Sequence, residues 1–501
     1  MKKRISALLL ALLMLVPVLA SCSDSADTAD TTSADTAAVG ETTAAEVVGE
    51  TDRSQVKDNL PDNLDFKGQE IRILHRDDGA DLSIEVTAEE TGDVVNDAVY
   101  NRQMTVEERL NVKLKAIPMT STIHAPTEVV DAIRKSVTAG SDDYDIALNH
   151  MSGTTPLALE NMFVDLNSLD YLDFSQPWWA GHFMEQATIN DHCYYAAGDM
   201  ALTLIQSMYL IYYNKDLYAN FRDDDIYETV WDGGWTIDKL SELGRTVYTD
   251  SNGDSQYDVG DTYGYSTTAI RLIDALLVGA DIPLSERDAD GTPYLIVGED
   301  ERTFDFINKI SALLIDKQLT WRVQDNADGE VDMLKKFSEG TLLFIPFTPM
   351  GASQLRQMED DFGVLPMPKL DDSQDEYTTS AHNGFSSITI LNTCKYADTA
   401  AAVMEAMCSE SYRFVTPAYY ETALKIKYSR DDETSKMLDM IRDSVKFDFG
   451  YIYNASIGTP MTQFRTIVKG SPDTAASTLA ANMNTCHAKL AEMLEKYDAM
   501  K

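Results

Sequence analysis

The chain has 501 residues, more than one hydrophobic core usually serves, so two domains or more are expected. Its composition, 44% hydrophobic and 25% charged, is ordinary for a soluble globular protein. With 82 acidic against 41 basic side chains the formal net charge is −41, which argues against nucleic acid or an anionic membrane surface as the main partner, since both repel a polyanion.

Lys2, Lys3 and Arg4 precede an apolar run from Ile5 to Ala20, too short to favour a stable membrane span and typical of a secretory signal. The run ends in Leu19-Ala20-Ser21-Cys22, which resembles the lipobox of bacterial lipoproteins. That resemblance implies a signal peptide over 1–21 and a lipidated Cys22 as the mature N-terminus. The acyl chains would hold the protein at the extracellular face of the cytoplasmic membrane, two anchoring far better than one. The other reading is a plain secretory signal with a coincidental cysteine. From Ser23 to about Val56 the residues are Thr, Ala, Ser, Asp and Glu with almost no large side chains, too few to offset the entropy of ordering. Residues 22–62 are expected to form a disordered acidic tether reaching roughly 30 Å.

The folded body is expected to begin near Phe66, where FKGQEIRIL sets Ile71 and Ile73 on one side of a strand. A helix follows from about Asp93 to Leu110, with Val95, Val99, Val106 and Leu110 on one face. NVKLKAI reads as a strand, EVVDAIRKSVTAG as a helix stopped at Gly140, and Tyr144 to Asn149 as a third strand. This alternation means a mainly parallel sheet covered by helices. In such sheets ligands gather at the carboxyl ends of strands, which brings His75 to Asp78, His150 to Ser152 and Gly198-Asp199 to one edge.

The segment Tyr194 to Tyr218, YYAAGDMALTLIQSMYLIYYNKDLY, reads as a strand, a Gly-Asp turn, an apolar run from Leu202 to Tyr213, and a helix capped by Asn214. It resembles the point where extracellular solute-binding proteins of carbohydrate ABC importers, the maltose-binding-protein-like family 1, pass from one lobe to the other. FVDLNSLDYLDFSQPWW, MLKKFSEGTLLFIPFTPMGASQL, FGVLPMPK and TPAYYETALKIKYSRDD are similar to further segments of that family. NGFSSITILN, Asn383 to Asn392, reads as the return crossing. The resemblance runs from Phe66 to the last helix, whose apolar stripe is Leu479, Met483, Cys486, Leu490 and Met493. It implies an α/β, two-lobe, type II periplasmic-binding-protein-like fold. Each lobe is expected to be a mainly parallel sheet flanked by helices, with a hinge of crossing strands. Lobe 1 is expected over 63–200 and 383–425, and lobe 2 over 201–382 and 426–501. The function implied is capture of a sugar or oligosaccharide between the lobes and delivery to the permease subunits of an ABC importer, by a monomer without catalysis.

Domain-interface clefts carry a few polar groups among aromatics. The expected ligand-binding residues are His150, Ser152, Trp178, Trp179, Asp199, Met350, Asn383, Tyr451 and Tyr453. Acids and amides would hold hydroxyls, and rings would stack on sugar C–H faces. Trp178-Trp179 has a second reading, as core or rim aromatics. DSNGDSQYDVGD sets Asp250, Asn252, Asp254, Asp258 and Asp261 at positions one, three, five, nine and twelve of a calcium loop, with the Gln256 carbonyl at seven. Ser255 stands where the turn prefers Gly and Asp261 replaces the bidentate Glu, so an acidic turn without metal is the alternative to a structural Ca2+. No other cofactor is expected. Cys193, Cys394, Cys408 and Cys486 show no disulfide framework and read as buried thiols. The sequence carries no P-loop, GxGxxG, GxSxG or HExxH. Two other functions stay open: a binding protein of the same architecture for peptides or other solutes, and a surface-anchored glycoside hydrolase with a carboxylate pair.

Overall fold

A computed structural model of the protein describes residues 52–500, apart from 80, 122–126, 421–423, 425–430 and 471. The signal peptide, Cys22 and the tether up to residue 51 lie outside the described residues. Residues 51–501 form one compact unit built on two sheets.

The first sheet has the order β11-β3-β1-β2, with β1 Gln69–Asp77, β2 Val112–Thr120, β3 Ile146–His150 and β11 Ser386–Ile390. β1 pairs parallel with β2 and β3, and β11 closes the edge antiparallel to β3. Helix α1, Val94–Leu110, starts on Asp93, whose carboxylate accepts the Val95 and Asn96 amides, and ends on Asn111 at φ 48°. Its buried face holds Val95, Val99, Val106 and Leu110, as the periodicity predicts. Helix α2, Thr127–Thr138, completes the first βαβαβ run, and helices α3, Met151–Leu159, and α4, Gly181–Ala187, follow it.

The second sheet has the order β10-β4-β9-β5-β8, with β4 Leu210–Asn214, β5 Tyr263–Thr267, β8 Thr320–Arg322, β9 Leu342–Phe347 and β10 Phe362–Leu365. A hairpin of β6, Ser285–Arg287, and β7, Pro293–Leu295, stands apart. Here the expectation of a mainly parallel sheet needs correcting. β4 runs antiparallel to both β9 and β10, because the chain arriving from the first lobe enters the sheet against the direction of its neighbours. Asn214 caps the next helix through the Leu217 amide at 2.8 Å, and Thr236 caps Ile237–Arg245.

The apolar run from Leu202 is not one strand: helix α5, Thr203–Gln206, interrupts it before β4. The crossing segments pair antiparallel at Ala196 with Ile388 and at Met208 with Ala381, and a third segment joins in parallel at Thr379 and Val445. Ladder bonds hold them, from His382 N to Ser207 O (2.7 Å), Tyr209 N to Ser380 O (3.0 Å) and Lys446 N to Thr379 O (2.8 Å).

One further local expectation changes. Residues 53–62, expected in the tether, pack on the body instead. Asp58 accepts from both Arg109 amines at 2.6 Å and from Ser409 Oγ, Leu60 is buried, and Arg53 stacks on Tyr412 at 4.1 Å. A few buried anchors order a segment whose average composition is polar. The four described cysteines are free thiols, and the C-terminal stripe is buried.

Candidate functional site

The carboxyl ends of β1 and β3, the two crossing segments and the carboxyl end of β5 carry an unusual group of buried side chains. Asn149 is 1% exposed, and neither its carboxamide oxygen nor its nitrogen has a hydrogen-bond partner. Gln206 Oε1, Ser207 Oγ, Ser380 Oγ and Thr268 Oγ1 are equally buried and unpartnered. Buried polar groups are nearly always paired, because an unmade hydrogen bond costs about 1–3 kcal/mol. The exceptions in the described residues include Asn149 on the first sheet, Gln206, Ser207 and Ser380 on the crossings, and Thr268 just past β5 of the second sheet. Such a set suits a polyhydroxylated ligand, since carboxamides both donate and accept.

Around this group the polar side chains are tied together. His150 caps α3, and its Nδ1 lies 2.9 Å from Ser152 Oγ. The His382 ring stands 6.4 Å from that of His150 and 6.2 Å from that of Tyr209, edge-on to both. The Asn383 amide donates to Tyr451 Oη at 3.1 Å. Burial, with the Asp274 charge nearby, raises the Tyr451 hydroxyl above its ordinary value, so it stays a neutral donor and acceptor. Arg465 grips Asp274, with Nε 2.8 Å from Oδ1. Arg76 is fully buried at the end of β1, and its Nη2 donates to Gly384 O and Ser386 Oγ at 2.8 Å each. Burial draws the Arg76 guanidinium down to about 10, against the pull of Glu85 and Asp78, so it remains charged at neutral pH.

Four of the nine expected ligand residues therefore come together: His150, Ser152, Asn383 and Tyr451. Met350 lies just past β9 in a short 3-10 turn, Pro349–Ser353, which packs near α5. The other four sit elsewhere. Trp178 and Trp179 donate their indole N–H groups to the two oxygens of Glu405, each at 3.0 Å. They are 0% and 4% exposed, packed edge-on to Tyr412 and Phe174, so neither offers a face to a ligand. Asp199 accepts from Thr416 Oγ1 at 2.9 Å, faces Arg53 at 3.7 Å, and is pushed up to about 6 by burial. Tyr453 is a core residue bonded to Ala187 O and Tyr497 Oη.

The loop Asp250 to Asp261 folds on itself. Asp250 accepts the Gly253 and Ser255 amides, Asn252 that of Asp254, and Asp254 that of Gln256. Ser255 takes φ 61°, the left-handed conformation expected of the turn position. Asp261 is buried, with Oδ2 accepting from Tyr248 Oη, while Lys336 Nζ donates to the Val259 and Asp261 carbonyls. Among the described residues no group of three His, Cys, Asp or Glu side chains has the spacing to hold a metal ion. Among them, too, no helix is long and apolar enough to cross a membrane.

Two sheets joined by crossing segments define the class of fold, that of MalE-like type II periplasmic binding proteins. The sugar-binding protein MalE of Xanthomonas citri superposes with a TM-score of 0.57 at 12% identity, over 86% of this chain and 99% of that one. The galacto-N-biose-/lacto-N-biose I-binding protein of the ABC transporter of Bifidobacterium longum, solved with lacto-N-biose, gives 0.57 at 11%, over 86% and 98%. The GacH receptor of Streptomyces glaucescens, solved unliganded and with acarbose, gives 0.55 at 13%, over 84% and 99%. No family model matches the sequence, and comparison with curated proteins finds no match.

Proposed function

We propose that the protein captures a sugar or oligosaccharide between its lobes and delivers it to the permease of an ABC importer, without catalysing a reaction. One observation carries the reading: unpartnered buried polar groups lie on both lobes and on both crossings, so a single ligand touching them all favours the closed arrangement. The fold shared with sugar-binding proteins supports the ligand class. Within the site, His150, Ser152, Asn383 and Tyr451 are the proposed ligand residues from the sequence, joined by Asn149, Gln206 and Ser207, with Met350 at the rim. The lobes are proposed to divide near residues 200 and 383. The chain acts as a monomer held at the extracellular face of the cytoplasmic membrane by lipid on Cys22.

A thermal-shift screen against mono- and oligosaccharides, with peptides as the contrast, tests this directly. Ligand at a hundred times its dissociation constant adds about 2.7 kcal/mol, an easily seen shift. A sugar hit recovered intact is expected; a peptide hit alone would move the ligand class, and release of cleaved sugar would replace binding by hydrolysis.

We further propose that Asp250, Asn252, Asp254, the Gln256 carbonyl, Asp258 and Asp261 hold a structural Ca2+. The left-handed Ser255 and the alternating carboxylates support this. EGTA is expected to lower the melting temperature, with Ca2+ restoring it. An unchanged melting curve and no metal by mass spectrometry would remove the proposal.

A further inference from the structure

The site contains two largely buried cations, and each faces a buried anion. Arg465 is paired with Asp274, which is 1% exposed. Arg76 is balanced through a relay: Arg76 Nη2 donates to Ser386 Oγ at 2.8 Å, and Ser386 Oγ donates to Glu85 Oε2 at 2.6 Å. Glu85 is itself fully buried, and its Oε1 accepts from the Thr203 amide at 3.1 Å and from the Thr203 hydroxyl. The relay therefore ties the end of β1, the return crossing and α5 together, and the nearby Arg102 and Asp78 add one charge of each sign to it. Arg76 keeps two nitrogens without partners, Nε and Nη1. The β1–β3 register pairs Ile73 with Ile146 and His75 with Leu148, so Arg76 and Asn149 are the next residues along the two neighbouring strands, and the Asn149 carboxamide is also unpartnered.

From this charge balance we infer that the ligand is uncharged where it meets Arg76 and Asn149, and that Glu85 sets this selectivity by neutralising Arg76. The inference rests on the carbohydrate reading above and narrows it. Nη2 of Arg76 is fully used, so neither edge of the guanidinium is free to grip a carboxylate with two parallel bonds. What remains is a set of single donors beside a carboxamide that both donates and accepts, which matches neighbouring hydroxyls of a neutral sugar. A uronate would add an anion facing Glu85, and an amino sugar a cation facing Arg76; a buried charge without its own partner is strongly disfavoured.

The test compares the full-length protein against three probes of similar length: neutral gluco- and galacto-oligosaccharides, oligogalacturonates and chitosan oligosaccharides. The wild type is expected to bind a neutral series at least tenfold more tightly than either charged one. Glu85→Gln keeps an oxygen for Thr203 and leaves Arg76 unbalanced, so the ratio of uronate to neutral affinity is expected to rise at least tenfold. Asn149→Asp, at a side chain with no partners to lose, is expected to raise the ratio of amino-sugar to neutral affinity, and it serves if Glu85→Gln fails to fold. A wild type that binds uronates or amino sugars as tightly as neutral sugars would overturn the inference and leave carbohydrate binding intact. Unchanged ratios in folded variants would remove Glu85 from its role. Binding of no sugar of any class would overturn the carbohydrate reading and the inference together.

Discussion

Single residues decide where the candidate site is and is not. Trp178 and Trp179 are adjacent aromatics in a resembling segment, and locally nothing separates a sugar platform from a core pair. What separates them is Glu405, more than 220 positions away, whose two oxygens take both indole N–H groups. Conversely, Gln206 and Ser207 stand inside the apolar run from Leu202 to Tyr213, and a carboxamide in such a run was the available sign of the proposed contact. Asn149 ended a strand already read from the sequence, but nothing local showed that its carboxamide would lack a partner. Glu405 also makes stability depend on pH. Burial raises its carboxyl to about 7, against the pull of its hydrogen bonds, so the folded state holds the proton more tightly than the unfolded chain does. A raised acid stabilises fully below its unfolded value and loses that contribution as pH rises through about 7. Chemical denaturation from pH 4.5 to 7.5 should therefore show stability falling, with Asp199 adding to the fall up to about pH 6. The slope is expected to flatten in Glu405→Gln; an equal slope in the variant would place the titration elsewhere.

Elements whose hydrophobic period is complete in sequence formed where expected: β1, α1, β2, α2, β3 and the C-terminal helix with its Leu479 to Met493 stripe. The errors came where tertiary contacts override local pattern. The run from Leu202 looks uniformly strand-like, yet α5 forms where the chain turns between lobes, with the Thr203 amide bonded to Glu85. The second sheet is mixed because of the direction in which β4 enters, which no periodicity records. Close packing in that sheet gives a further expectation. β5 passes the helix Ile237–Arg245 so closely at Gly264 that an added Cβ would overlap the Gly244 carbonyl. Gly264→Ala should cost about 1–3 kcal/mol by overpacking, measured by urea denaturation, and a cost near zero would mean the helix shifts freely.

At the scale of the whole molecule, the chain's two sheets are joined by three segments that bond to one another at Met208, Ala381, Thr379 and Val445. Gln206, Ser207 and Ser380, three of the unpartnered groups, lie on these segments, so a ligand bound there as proposed would contact the hinge and both lobes at once. On the proposed reading, occupancy would couple to closure, because a ligand would reach Asn149, Gln206 and Thr268 together only with the lobes closed. The two-lobe plan was readable from the Tyr194 to Tyr218 segment. The candidate site was legible only in part: His150, Ser152, Asn383 and Tyr451 were expected there, while the lack of partners at Asn149, Gln206 and Ser207 has no local signal in the sequence. The most direct measurement is calorimetric titration of the best oligosaccharide from the screen into wild type, Asn149→Ala and Gln206→Ala, one residue on the first lobe and one on the crossing. The account predicts that each substitution weakens binding at least tenfold while the unliganded melting temperature holds or rises, since each removes an unpartnered buried group. Wild-type affinity in both folded variants would contradict a ligand site between the lobes.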